Sequence, residues 1–104
     1  WLAHDPEVRA AALETVEAMP EDEFKKVFAA LYRFRPPELD GLSVPARVVY
    51  GEHEISLVKR QGTDLARALG CDVHEIPDAA HLVNRDNPEA FDEVLSGLLA
   101  EIEG

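Results

Sequence analysis

The sequence predicts an α/β fold. Two helical segments come first, and residues 46–104 then alternate between short β-rich runs and longer amphipathic runs. Proline and glycine separate most of these segments, as expected of residues that interrupt regular structure. A strand, a helix and a second strand in this order form a parallel pair joined by a right-handed crossover. We therefore expect two helices, then strand, helix, strand and a final helix.

The first helix is predicted to begin at Pro6, with Asp5 as its N-cap and Glu7 in its first turn. Met19 ends it, because the following proline disfavours helical backbone. A second helix begins near Glu21 and is stopped by the prolines at 36–37. Its apolar residues recur three and four positions apart and require a covering surface. They are Phe24, Val27, Phe28 and Leu31.

The next segments alternate in type. A strand is predicted over Ala46–Tyr50, closed by Gly51. Ser56 is the expected N-cap of a helix to Leu69, with Gly70 in the left-handed position after it. A second strand, 73–76, ends before a proline, and residues 87–89 repeat the cap, proline and acid signature of a helix start. The closing helix has a broad apolar face.

Composition limits the function. A chain of 104 residues with 46% hydrophobic content is one small folded unit, and its longest apolar run, Val27–Tyr32, is too short to span a membrane. The net charge of −11 repels phosphate and anionic lipid, so we expect neither nucleic acid nor membrane as a partner. The single cysteine, Cys71, gives no sign of an oxidising compartment, which favours a cytoplasmic location. The acidity fits either a salt-adapted protein or an ordinary acidic one.

Two strands are too few for a stable sheet. We therefore expect the chain to complete its sheet with a missing segment or with another molecule, a homodimer being the simplest case. The first residue is Trp1, without an initiator methionine, which suggests a piece of a longer protein.

Candidate chemistry lies in two loops, because α/β proteins place their sites after the carboxyl ends of parallel strands. The first loop, 51–54, provides Glu54, and the second, 78–81, provides His81. A carboxylate and a histidine at adjacent strand ends can form the pair that orients a catalytic imidazole. Glu52 is close enough in the chain to be the acid instead.

Both loops resemble the C-terminal part of α/β-hydrolases. Residues 42–54 (LSVPARVVYGEHE) look like the penultimate strand and acid turn of that family, and 76–82 (IPDAAHL) with 87–91 (NPEAF) are similar to its last strand, histidine loop and final helix. The resemblance covers residues 42–104. It implies a partial α/β-hydrolase fold, with a cap-like helical segment at 1–40 and a core segment at 41–104.

The resemblance further implies that Glu54 is the triad acid and His81 the general base of ester, lactone or related acyl hydrolysis. No serine of the chain lies in the G-x-S-x-G elbow that carries the family's nucleophile. The isolated chain is therefore expected to be inactive, with an ester-like substrate only when the nucleophile segment is present. The alternative is a non-catalytic, hydrolase-derived module that self-associates or binds a protein partner.

No cofactor and no metal are expected. A metal site would need ligands at a regular spacing, which the acidic and histidine residues of the two loops lack. The residues considered were Glu52, His53, Glu54 and His81. The other histidines, His4 and His74, are expected at the surface together with His53.

Overall fold

The computed structural model describes residues 2–35, 37–39 and 41–104. It confirms the predicted α/β order of elements and adds one short helix, α4, before the last helix. Trp1 and Pro36 lie outside the described residues. The elements are α1 (Pro6–Ala18), α2 (Glu21–Arg33), β1 (Val48–Gly51), α3 (Ser56–Leu69), β2 (Val73–Ile76), α4 (Val83–Asp86) and α5 (Pro88–Glu103).

The sheet consists of β1 and β2, which pair in parallel with Val48 opposite Val73 and Gly51 opposite Ile76. Helix α3 contacts both strands, α4 contacts β1, and α5 contacts β2. The buried apolar residues are mostly small and gather around this sheet and the loops at its carboxyl end. They are Ala3, Val48, Ala66, Ile76, Ala79 and Ala80.

The predicted helix termini are confirmed where a side chain or a glycine satisfies the backbone locally. The Asp5 carboxylate accepts from the N–H groups of Glu7 (2.9 Å) and Val8 (3.2 Å) at the start of α1. The Asn87 side chain accepts from the Ala90 N–H at 3.2 Å at the start of α5. Gly70 ends α3 in the left-handed region, with φ of 65°.

Three predicted boundaries are wrong. Strand β1 includes Gly51, which was expected to follow the strand. Strand β1 begins at Val48, two residues later than expected, because its ladder to the second strand starts with the Val48 N–H donating to Asp72 O at 3.1 Å. Ser56 is the first residue of α3 and not its cap. Ile55 occupies the cap position, and its N–H is satisfied at 3.0 Å by the carboxylate of Glu54. Sequence periodicity shows neither arrangement, because the start of β1 depends on pairing with a distant segment and the cap of α3 depends on a side-chain contact.

Lys59 ties α3 to the end of the sheet that carries the two loops. Its ammonium group donates to Glu75 Oε1 at 2.6 Å and to the backbone oxygen of Glu52 at 2.7 Å. These contacts therefore fix the helix against β2 and against the loop that follows β1, beside the candidate site.

Helices α1 and α2 leave their apolar side chains largely uncovered. The stripe of α2 that was expected to be buried is between 39% and 60% exposed, although Phe24 and Phe28 contact each other with ring centroids 4.5 Å apart. Within the described part of the chain, no helix is both long and apolar enough to cross a membrane.

Candidate functional site

The two loops that follow the strands are packed backbone against backbone. Gly51 ends β1, and a Cβ atom at this position would lie 2.2 Å from the carbonyl oxygens of both Ala79 and Ala80. The N–H of His53 donates to Ala79 O at 2.8 Å, which joins the loops directly. Only glycine permits this approach, so residue 51 sets the spacing between the loop with the acid and the loop with the histidine.

Glu54 and His81 meet at this junction, as the sequence predicted. The distance between His81 Nδ1 and Glu54 Oε2 is 2.7 Å. The Glu54 side chain is only 2% exposed, and its other oxygen accepts the Ile55 N–H, whereas the His81 side chain is 46% exposed. A carboxylate only accepts, so Nδ1 is the donor in this contact. The neutral ring then has Nε2 as its basic nitrogen.

Glu52 is not the partner of His81. Its carboxylate accepts the N–H of Asp78 at 3.1 Å and lies 3.4 Å from His53 Nε2. Asp78 has a positive φ of 55°, and this hydrogen bond helps to hold the unfavourable backbone conformation. The geometry therefore decides between the two glutamates. Glu54 contacts His81, and Glu52 holds Asp78, in the loop that precedes His81.

Asp86, at the end of α4, is a site residue that the sequence did not reveal. Its carboxylate accepts three backbone N–H groups, from His4 (2.7 Å), Asp5 (2.9 Å) and Ala80 (2.9 Å). It thereby joins the N-terminal segment to the residue immediately before His81. No pattern in the sequence points to it, because α4 has only four residues and the donors are backbone groups.

The electrostatics of Asp86 follow from these contacts. Burial by itself favours the neutral acid, but the N–H donors of Ala80, His4 and Asp5, together with the charge of His4, favour the carboxylate. The pKa of Asp86 is accordingly lowered from its ordinary value of 3.8. At neutral pH the carboxylate therefore acts as a fixed negative anchor for the histidine loop.

The other histidines divide into two groups. His4 and His53 are exposed, as predicted, and their rings stack with centroids 4.1 Å apart. His74 is half-buried, contrary to the predicted surface position, because it lies on β2. The four residues considered for a metal do not form a ligand group in the described part of the chain. A different group, His4, His53 and Asp78, does bring its ligand atoms within 4.8 Å of one another.

Comparison with protein families, curated proteins and solved structures found no match to this chain. The function is therefore argued from the chemistry of the site and the pattern of the sequence.

Proposed function

We propose that this chain is the C-terminal segment of a serine-type α/β-hydrolase and provides its acid and its general base. The observation that carries the proposal is the 2.7 Å contact between Glu54 and His81 across the carboxyl ends of two adjacent parallel strands. This is where α/β proteins place their sites, and it is the pair that a serine nucleophile requires. The substrate class is an ester, a lactone or a related acyl compound.

In the proposed reaction, a serine outside these 104 residues attacks the substrate carbonyl carbon. Its hydroxyl proton passes to Nε2 of His81, which then returns it to the leaving oxygen as the ester bond breaks. Water, deprotonated by the same nitrogen, hydrolyses the acyl-serine and regenerates the hydroxyl. Glu54 keeps the ring in the required tautomer and stabilises the imidazolium formed in each step.

The surroundings of the pair support this role. A carboxylate that is 2% exposed interacts strongly with an imidazolium, because little water screens the contact. The close approach at Gly51 and the hydrogen bond from the Ala80 N–H to Asp86 hold the histidine loop from two sides. A general base positioned by a rigid backbone loses little free energy to reorientation during the reaction.

An apolar groove begins beside the histidine loop and supports a substrate with an apolar portion. Its lining combines Leu82, which follows His81 in the chain, with Leu2 and apolar residues of α1 such as Val8 and Val16. Burial of an acyl or alkyl group there would contribute binding free energy at about 25 cal/mol per Å² of apolar surface.

The experiment that tests the proposal reads the coding sequence upstream of Trp1 and expresses the longer polypeptide if it encodes a G-x-S-x-G elbow. We expect this polypeptide to hydrolyse activated esters and to be labelled by a serine-directed phosphonate. His81→Ala should lower kcat by about 10³-fold or more, and Glu54→Gln should also lower it strongly. An upstream sequence without the elbow, or activity that survives His81→Ala, would contradict the proposal.

A second candidate function is a non-catalytic module that self-associates. The observation in its favour is the exposed apolar stripe of α2, combined with strand edges that have no strand partner among the described residues. Both features are typical of surfaces that become covered on association. Labelling of the longer polypeptide by a serine-directed phosphonate distinguishes the two functions, because a non-catalytic module has no activated serine.

A further inference from the structure

A second cluster of chemically active side chains lies at the same end of the sheet as Glu54 and His81. It consists of His4 from the N-terminal segment, His53 from the loop after β1, and Asp78 from the loop after β2. Their candidate ligand atoms lie within 4.8 Å of one another, and all three side chains are exposed. We propose that these three residues form a binding site for a divalent first-row transition metal ion of the Zn²⁺ type.

The donor set favours this class of ion. Two imidazoles and one carboxylate are typical ligands of zinc in sites where water completes a tetrahedral coordination shell. Imidazole nitrogen discriminates against Mg²⁺ and Ca²⁺, which prefer shells of oxygen ligands. The three ligands come from three separate segments of the chain, so the site is created by the fold and would be absent from the unfolded chain.

The distances between the three ligand atoms can reach those of a zinc site through side-chain movement alone. Zinc bonds of about 2.0–2.2 Å place tetrahedral ligand atoms roughly 3.3–3.6 Å apart, somewhat closer than the present upper limit of 4.8 Å. The rings of His4 and His53 are nearly parallel, at 14°, and must rotate out of this stack to direct their nitrogens to one ion. Because both side chains are exposed, such rotation meets little steric resistance.

The backbone that carries the ligands is already held in place. Each of the three residues donates its N–H to a fixed acceptor at 2.7–3.1 Å. The acceptors are Asp86 Oδ2 for His4, Ala79 O for His53 and Glu52 Oε1 for Asp78. Metal binding therefore orders side chains alone, which limits its entropic cost.

Charge also favours a cation at this position. The chain carries a net charge of −11, which raises the local concentration of cations. The Glu52 carboxylate lies 3.4 Å from His53 Nε2 and adds a negative charge beside the ligand group. An ion bound here would link the N-terminal segment to both loops and stabilise the folded chain.

The test titrates the full 104-residue chain with Zn²⁺ by calorimetry and with Co²⁺ by visible absorption. We expect one ion per chain, a four-coordinate Co²⁺ spectrum and a rise in Tm with Zn²⁺. The substitutions His4→Ala, His53→Ala and Asp78→Asn should each weaken binding by about tenfold or more. Asparagine is chosen at position 78 because it tolerates the positive φ found there.

The matched control is His81→Ala, which removes one imidazole from the neighbouring site and should leave Zn²⁺ affinity unchanged. Absence of one-to-one binding would overturn the proposal. So would equal affinity in the chain and its His4, His53 and Asp78 variants, or loss of binding in His81→Ala. The result is independent of the proposed hydrolase function, which His81→Ala abolishes without affecting this site.

Discussion

At the scale of single residues, Glu54 is a carboxylate in a place where a charge is costly. Its side chain is 2% exposed, and an ion removed from water must find hydrogen-bond donors or become neutral. Both oxygens have a hydrogen-bond donor: one accepts from the ring of His81 and the other from the Ile55 N–H. Because both oxygens of Glu54 are used by these two donors, the buried carboxylate holds the imidazole in a fixed orientation.

Glu54→Gln tests this balance. The amide has nearly the same size but no charge, so the charge-assisted contact to His81 is lost, and we expect the free energy of unfolding to fall by about 1.5 kcal/mol. We expect the Nδ1–H proton of His81 to resonate downfield in the NMR spectrum of the unsubstituted chain because of its contact with the carboxylate, and to move upfield in Glu54→Gln. The control is Glu52→Gln, which should leave that resonance in place. An unchanged resonance in Glu54→Gln would contradict the hydrogen bond.

Asp86 gives a prediction about pH. Because its pKa is lowered in the folded chain, its contribution to stability is complete above the ordinary value of 3.8 and is lost as the pH falls through the lower folded value. Asp86→Asn should reduce stability at pH 7 by about 2 kcal/mol, since the amide has one acceptor oxygen in place of two and leaves at least one of the three N–H groups without its acceptor. It should also flatten the loss of stability below pH 4.

Urea unfolding between pH 2 and 7 measures both effects, and Asp92→Asn is the control because Asp92 is exposed on α5. If stability falls equally steeply below pH 4 in the chain and in Asp86→Asn, Asp86 has no special role in acid unfolding.

The pair Glu54 and His81 was predictable because strand ends can be read from the sequence. Asp86 could not be predicted as a site residue, because its role depends on contacts to backbone groups, two of which lie more than 80 residues away in the sequence.

At the scale of elements, boundaries that depend on nearby residues were predicted correctly more often than boundaries that depend on pairing with distant segments. The helix termini at Asp5, Asn87 and Gly70 agree with prediction, because each of them is satisfied within a few residues. Strand β1 begins later than predicted because its register is set by the second strand and not by its own composition. Helix α4 was missed because four residues are too few to display a helical period.

Gly51→Ala is the element-scale test of how the two loops are joined. The added methyl group would meet the backbone oxygens of Ala79 and Ala80, which cannot rotate away, so the histidine loop must shift. We expect a loss of about 1–3 kcal/mol in the free energy of unfolding and loss of the downfield His81 proton.

The matched substitution is Gly97→Ala in the interior of α5, where a Cβ meets nothing within 4 Å. Alanine has the higher helix propensity, so this variant should gain about 0.5–1 kcal/mol. Thermal unfolding of the two variants separates the steric effect from the general effect of replacing glycine. Equal changes in both variants would show that the loops do not depend on close approach at residue 51.

At the scale of the whole molecule, the chain is more open than a typical domain of its length. Its radius of gyration is 15.7 Å, against about 13 Å for a compact domain of 100 residues. Among the described residues, four of the six buried apolar residues are alanines, while long side chains on α1 and α2 are exposed. The apolar surface that would close a larger core is thus present but uncovered by the described residues.

This surface predicts salt-dependent self-association. The net charge of −11 opposes contact between copies, and screening shortens the Debye length to about 3 Å at 1 M salt, so sedimentation velocity should show more dimer at high salt than at low. Phe28→Glu should weaken the dimer, because it places a charge in the apolar stripe. Ala29→Glu adds the same charge away from the stripe and should not. A monomer at both salt concentrations, with the Val49 amide, which faces away from β2, protected from exchange, would show that the chain covers its own strand edge.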